Sequence, residues 1–157
     1  MKDIQQWLDE YGESHQNPMN KKIHWICVPL IMISLLALIS LIPFPSFIKF
    51  TGNSIIDSWG TVFLLYCVIF YLRMSVSIAV GMLIIAFFMI WGINWLDSFE
   101  ISLWMLSLFI FILAWIGQFI GHKIEGKKPS FFEDLQFLLI GPAWLLSFIY
   151  KKMNIKY

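Results

Sequence analysis

VSIAVGMLIIAFFMIWGINWL, from Val76 to Leu96, is the longest apolar run in the chain and carries no charged side chain until Asp97 follows it. A helix that crosses a bilayer needs about 20 consecutive apolar residues. The run meets that requirement and reads as a membrane span. Outward from it, residues 25–42, 58–74 and 101–121 form three further apolar stretches of similar character. Pro43-Phe44-Pro45 closes the first of these, because two prolines in three residues cannot continue a helix. Arg73 lies at the end of the second, and the last runs straight into Gly121-His122. In a final stretch, residues 131–150, the apolar run from Leu135 to Tyr150 is only about sixteen residues and is interrupted by Gly141-Pro142, so it reads as a broken segment that either re-enters or forms a fifth span. The expected fold is an all-α integral membrane protein of one domain, residues 1–157. It has four transmembrane helices, an N-terminal amphipathic helix and a C-terminal broken hydrophobic helix.

Composition agrees. Hydrophobic residues make up 59% of the 157 positions and charged residues 13%, about half the charged share of a soluble domain. A soluble protein of this size has too much surface for its volume to hide that much apolar area. The net charge of +1 provides no basic face for nucleic acid. Cys27 and Cys67 sit inside apolar runs and read as small buried hydrophobes. About twenty polar, mixed-charge residues precede the first apolar run, which is unlike a cleavable signal peptide.

The polar edges carry the chemistry. Ile4, Trp7, Leu8 and Tyr11 recur at helical spacing, so Lys2 to Gly12 reads as a helix lying on the membrane or packing on the bundle. Asn17-Pro18 reads as an N-cap followed by proline at the first helical position. Pro29 is expected to kink or loosen the turn above His24. With the N-terminus inside, Lys2, Lys21, Lys22, Arg73, Lys123, Lys127 and Lys128 all lie on the cytoplasmic side, whereas Lys49, Asp97 and Glu100 lie outside. A re-entrant last segment keeps Lys151, Lys152 and Lys156 inside as well. His15, His24 and His122, the only three histidines, then share one membrane face.

Trp115, Gln118, His122 and Glu125 lie on one face of a helix, and Gly117 and Gly121 on the adjoining side allow close approach of a neighbour. Gln118 lies within the apolar run and needs a hydrogen-bond partner. Tyr11 and His15 are one helical step of four apart, as are Asn20 and His24. His15 and His24 can converge only if the chain breaks between them, at Asn17-Pro18. With His122 they form a candidate three-imidazole site, with Glu125, Glu133 or Asp134 as possible carboxylate partners. Imidazole suits iron, zinc, copper or nickel, and imidazole plus carboxylate with open positions suits non-haem Fe(II). The plain alternative is a set of interfacial polar residues with no common role.

Tyr11-x3-His15-x4-Asn20-x3-His24, followed by Val28-Pro29-Leu30, resembles one half of a family signature. Trp115-x2-Gln118-Phe119-x-Gly121-His122-x2-Glu125-Gly126-x2-Pro129, then Asp134-Leu135 and Gly141-Pro142, resembles the other half. The family is that of the 2-hydroxy fatty acid dioxygenases of the yeast phytosphingosine-degradation type. The resemblance covers both ends of the chain, while the middle helices match only in being apolar. It implies an Fe(II)-dependent membrane enzyme of fatty-acid α-oxidation that uses O2 to convert a 2-hydroxy fatty acid to the acid one carbon shorter. It also implies His15, His24 and His122 as iron ligands, with Glu125 the first choice for a further one. Gln118, Tyr11 and Asn20 would orient imidazoles or the substrate head, and Lys123 or Lys127 would attract the carboxylate. The acyl tail would lie among apolar helices, in contact with membrane lipid.

A transporter would instead place ionisable groups in mid-span, and a haem carrier would want facing histidines deep in the bundle. A structural membrane protein without catalysis is the third alternative. Frequent Ile, Lys and Phe suggest a bacterial genome, hence the inner membrane, or the endoplasmic reticulum in a eukaryote.

Overall fold

A computed structural model describes residues 2–99, 101–128 and 137–157. Among these residues the chain is wholly helical: α1 Ile4–Glu13, α2 Pro18–Ser40, a 3-10 turn Ser46–Ile48, α3 Trp59–Leu72, α4 Val76–Asp97, α5 Leu103–Glu125 and α6 Phe137–Lys152. Three helices, α2, α4 and α5, are long and apolar enough to cross a membrane, and they mark the chain as a membrane protein. The expected second span is shorter. Its helix starts only at Trp59 and stops at Leu72, so α3 has 14 residues and a length of about 21 Å.

Sequence explains how the first two helices begin. Asp3 caps α1 through a reciprocal pair with Gln6, in which each side chain meets the other's peptide N–H. Asn17 caps α2, its side-chain oxygen accepting from the Met19 N–H, and Pro18 takes the first helical position. Pro29 lies inside α2, which continues through it as one helix of 23 residues.

The helices are arranged by their small residues. A β-carbon on Gly117 would meet the Cys27 sulfur, and one on Gly121 would overlap the Asn20 side chain. The end of α5 therefore lies directly on the start of α2, and the two run antiparallel. Gly60 similarly places the start of α3 against Leu36 and Ser40 near the end of α2. Tyr71, at the other end of α3, donates to the Leu139 carbonyl of α6 at 2.8 Å. Hence α3 returns the chain to the end where α2 began. Gly81 in α4 leaves room for Leu146 and Tyr150 of α6.

The C-terminal segment departs from expectation. Gly141-Pro142 does not break it: α6 is a single helix from Phe137 to Lys152, with Pro142 inside. Proline forfeits one backbone bond there, and burial on several sides compensates. Ile140 and Ala143 are fully buried, packed with Ile4, Leu8 and Tyr11 of α1 and with Ile78, Ala79 and Met82 of α4. Thus α1 packs on the bundle through α6. Residues 131–136 of that segment, with Glu133 and Asp134, lie outside the described residues. The outward faces of α4 and α5 remain apolar, with Phe87 67% and Phe109 61% exposed, as a lipid-facing surface requires.

Candidate metal centre

His15 sits in the linker between α1 and α2, after the Ser14 C-cap and before the Asn17 N-cap. That reversal folds His15 back over the first turns of α2, where it meets His24. His122 arrives from the last turn of α5, which ends at Gly126 in the left-handed region (φ 75°) that glycine adopts without strain. The three side chains offer nitrogens that all lie within 4.8 Å of one another. Their ring centroids are 4.3, 4.9 and 5.0 Å apart, and each is 4% exposed or less. The break at Asn17-Pro18 and the close approach at Gly117 and Gly121 are what bring them together.

Two of the tautomers follow from backbone carbonyls, which can only accept. His15 Nδ1 lies 2.7 Å from the Tyr11 carbonyl and His24 Nδ1 3.0 Å from the Asn20 carbonyl, so each Nδ1 carries a hydrogen. Burial, reinforced by the neighbouring His24 and His122, lowers the His15 pKa to about 3, although the Tyr11 carbonyl and Glu125 act in the opposite sense. His15 is therefore neutral at physiological pH. With the hydrogen of each neutral ring on Nδ1, the two Nε2 atoms turn their lone pairs toward each other at 2.9 Å.

Lone pairs facing at that distance repel unless a cation or a proton lies between them. Imidazoles whose far nitrogens are tied to carbonyls and whose near nitrogens converge are the arrangement that metal-ligating histidines adopt. His122 Nδ1 is also buried with no hydrogen-bond partner. Three neutral imidazoles with unshared electron pairs form a donor set that fits a borderline transition metal such as iron or zinc.

Side chains around the cluster fix it in place. The Tyr11 ring stacks on His15 at 4.2 Å and 12°, and Trp144 of α6 packs on the same imidazole at 5.2 Å. Gly141 lets the Tyr11 hydroxyl approach the α6 backbone. A cavity of about 60 Å³ opens beside the histidines. His24, His122, Gln118 and Tyr11 form its polar wall, and Val28, Ile31 and Met32 carry it into the apolar bundle. A larger space of about 190 Å³ lies on the other side of His15 and Trp144, bordered by Asp9, Lys21 and Lys151.

The other candidates fall in different places. Gln118 is buried and lines the cavity. Asn20 meets its imidazole through its main-chain oxygen rather than its side chain, and Tyr11 meets His15 through both its main-chain oxygen and its ring. Lys123 is exposed, outside the lining of either cavity, and Lys127 donates to the Glu13 carbonyl at 2.8 Å. Glu125 does not join the imidazoles among the described residues: its carboxylate accepts from Gln16 N–H, Asn17 N–H and Asn20 Nδ2. Trp144 and Phe137 were not anticipated as neighbours of the site. The only sequence sign was Gly141-Pro142, which forms part of the resemblance but reads locally as an interruption.

No solved structure matches the chain. The chain is 25% identical over 152 residues to the 2-hydroxy-palmitic acid dioxygenase MPO1 of Saccharomyces cerevisiae, covering 95% of this chain and 81% of that protein. The model of the Mpo1-like family, described as 2-hydroxy-palmitic acid dioxygenase Mpo1-like, matches residues 1–153, and the chain belongs to that family.

Proposed function

We propose that the chain is an Fe(II)- and O2-dependent dioxygenase that converts 2-hydroxy fatty acids to the acid one carbon shorter. The observation that carries this reading is the set of three buried imidazoles, two with fixed tautomers and facing lone pairs, beside a cavity that runs into apolar helices. The family description supplies the substrate class. His15, His24 and His122 hold the iron, which when bound supplies a centre able to bring O2 and a 2-hydroxy carboxylate together.

The protein's own groups do the rest. The carbonyls of Tyr11 and Asn20 keep Nδ1 of His15 and His24 protonated, leaving both Nε2 lone pairs inward. Gln118, on the polar wall, orients the substrate head, and Val28, Ile31 and Met32 receive the first methylenes of its tail. Each buried methylene contributes roughly 0.8 kcal/mol, so a long acyl chain gains affinity from lipid-like surroundings. Lys123, exposed one residue beyond His122, offers positive charge to the incoming carboxylate. Substrate enters sideways from the bilayer. The reaction balances with O2 as sole oxidant when the carboxyl carbon leaves as carbon dioxide with one water, so no reductase partner is needed. Positive charge at the site end supports a cytoplasmic position for that end and for the N-terminus, in a bacterial inner membrane or, in a eukaryote, the endoplasmic reticulum.

Purified protein loaded with Fe(II) and given 2-hydroxypalmitate in air should release the C15 acid, and a chelator should stop the reaction until Fe(II) is restored. An iron-loaded protein that yields no shortened acid would overturn the assignment and favour a structural or transport role.

A further inference from the structure

His15 is the one histidine of the cluster that no helix holds. α1 ends at Glu13 and α2 starts at Pro18, so the peptide groups on either side of His15 have no helical ladder. The N–H groups of Gln16 and Asn17 follow it directly and need acceptors. Both find the same one. Glu125 Oε1 accepts from Gln16 N at 2.8 Å, and Oε2 accepts from Asn17 N at 2.9 Å and from Asn20 Nδ2 at 3.0 Å. On the other side of His15, Lys127 donates to the Glu13 carbonyl at 2.8 Å.

We propose that Glu125 is a positioning residue that latches the His15 linker to the end of α5 and so closes the three-imidazole centre. The inference rests on the reading of that centre as a metal site and gives Glu125 a role distinct from ligation. Each carboxylate oxygen is already committed, and turning either toward the cluster would leave Gln16 or Asn17 with a peptide donor unmet. The latch also sets distance. Glu125 stands one turn beyond His122 on α5, so the contact that holds the linker fixes His15 relative to His122. A carboxylate at the start of α2 is further favoured by the partial positive charge of that helix end. Asn20 completes the triangle. Its carbonyl holds His24 while its side chain binds Glu125, so one residue ties two ligands to the third.

Amide hydrogen exchange of the full chain, with and without Zn(II) as a redox-inert metal, tests the role. Gln16 and Asn17 amides should be protected in the metal-free protein and at least equally protected after metal addition. In Glu125→Ala those two amides should exchange at least about 10-fold faster while the interiors of α2 and α5 keep their protection, and Zn(II) affinity should fall roughly 10- to 100-fold. Glu125→Gln, which keeps one acceptor oxygen, should lie between. Faster exchange of Gln16 and Asn17 on adding metal to the wild type would show Glu125 leaving the linker for the ion, and would overturn the proposal. Unchanged exchange in both variants would overturn it too. A wild type that binds no metal defeats the metal reading instead, while the two amides still report separately on whether Glu125 holds the linker.

Discussion

At His15 the decisive partners are a main-chain oxygen and an aromatic face. The Tyr11 carbonyl fixes which nitrogen carries the hydrogen, and the Tyr11 ring lies flat against the imidazole. Only the second of these belongs to the tyrosine side chain. Tyr11→Phe preserves ring and carbonyl, so metal affinity should stay within about 3-fold of wild type. Tyr11→Ala removes the ring and should weaken metal binding about 10- to 100-fold. Titration of both variants with Co(II), followed by its visible absorption, checks the contrast; equal losses would mean that the hydroxyl, not the stack, matters. This scale also separates what was legible in the sequence from what was not. Histidines spaced four residues from Tyr11 and Asn20 were visible as pairs, because spacing places side chains. The job of Glu125 was not visible, because its partners include two peptide N–H groups, and every residue except proline carries one. A carboxylate beside a histidine therefore reads as a ligand until the backbone is seen.

Between elements, the α2–α5 contact controls the centre, since His24 and His122 ride on those two helices. Gly121 has Asn20 where its β-carbon would be, whereas the nearest atom to a β-carbon on Gly92 of α4 is Ile33 Cδ1 at 3.5 Å. Gly121→Ala should cost about 1–3 kcal/mol through overpacking and should weaken metal binding with it. Gly92→Ala should be neutral or slightly stabilising, because alanine restricts the unfolded chain more than glycine does. Thermal unfolding in detergent reads both, and comparable effects at the two positions would remove the case for a close-packed interface. The small-residue pair at Gly117 and Gly121 announced this contact in advance. The course of α6 was not announced. Gly and Pro are strong local breakers, but Gly141 and Pro142 face Tyr11 and the cavity in a helix whose burial outweighs one missing backbone bond.

For the molecule as a whole, the start of α2, the end of α3 and the end of α5 share one end with α1 and α6, while residues 49–57 lie at the other. All four expected span helices are present, yet among the described residues only three are long enough to span unaided, because α3 gives up Ser58 to its N-cap and Arg73-Met74 to a turn. Orientation is testable with a membrane-impermeant maleimide, since Cys27 and Cys67 are buried and should label weakly. Ser54→Cys should react on intact cells or spheroplasts, and Lys128→Cys only after permeabilisation. The reverse pattern would invert the proposed orientation, and labelling of both from outside would contradict opposite ends.

The span of chain that the latch bridges has a bearing on biogenesis. Gln16 and Glu125 are 109 residues apart, and His122 comes almost as late. A nascent chain with only its first helices inserted carries His15 and His24 without the third imidazole and without the carboxylate that steadies the first. A metal captured at that stage would have at most two of the three imidazoles to hold it. Because the last imidazole and its clasp emerge together at the end of α5, a metal at the three-imidazole centre would be tightly held only once α5 has been made and packed on α2.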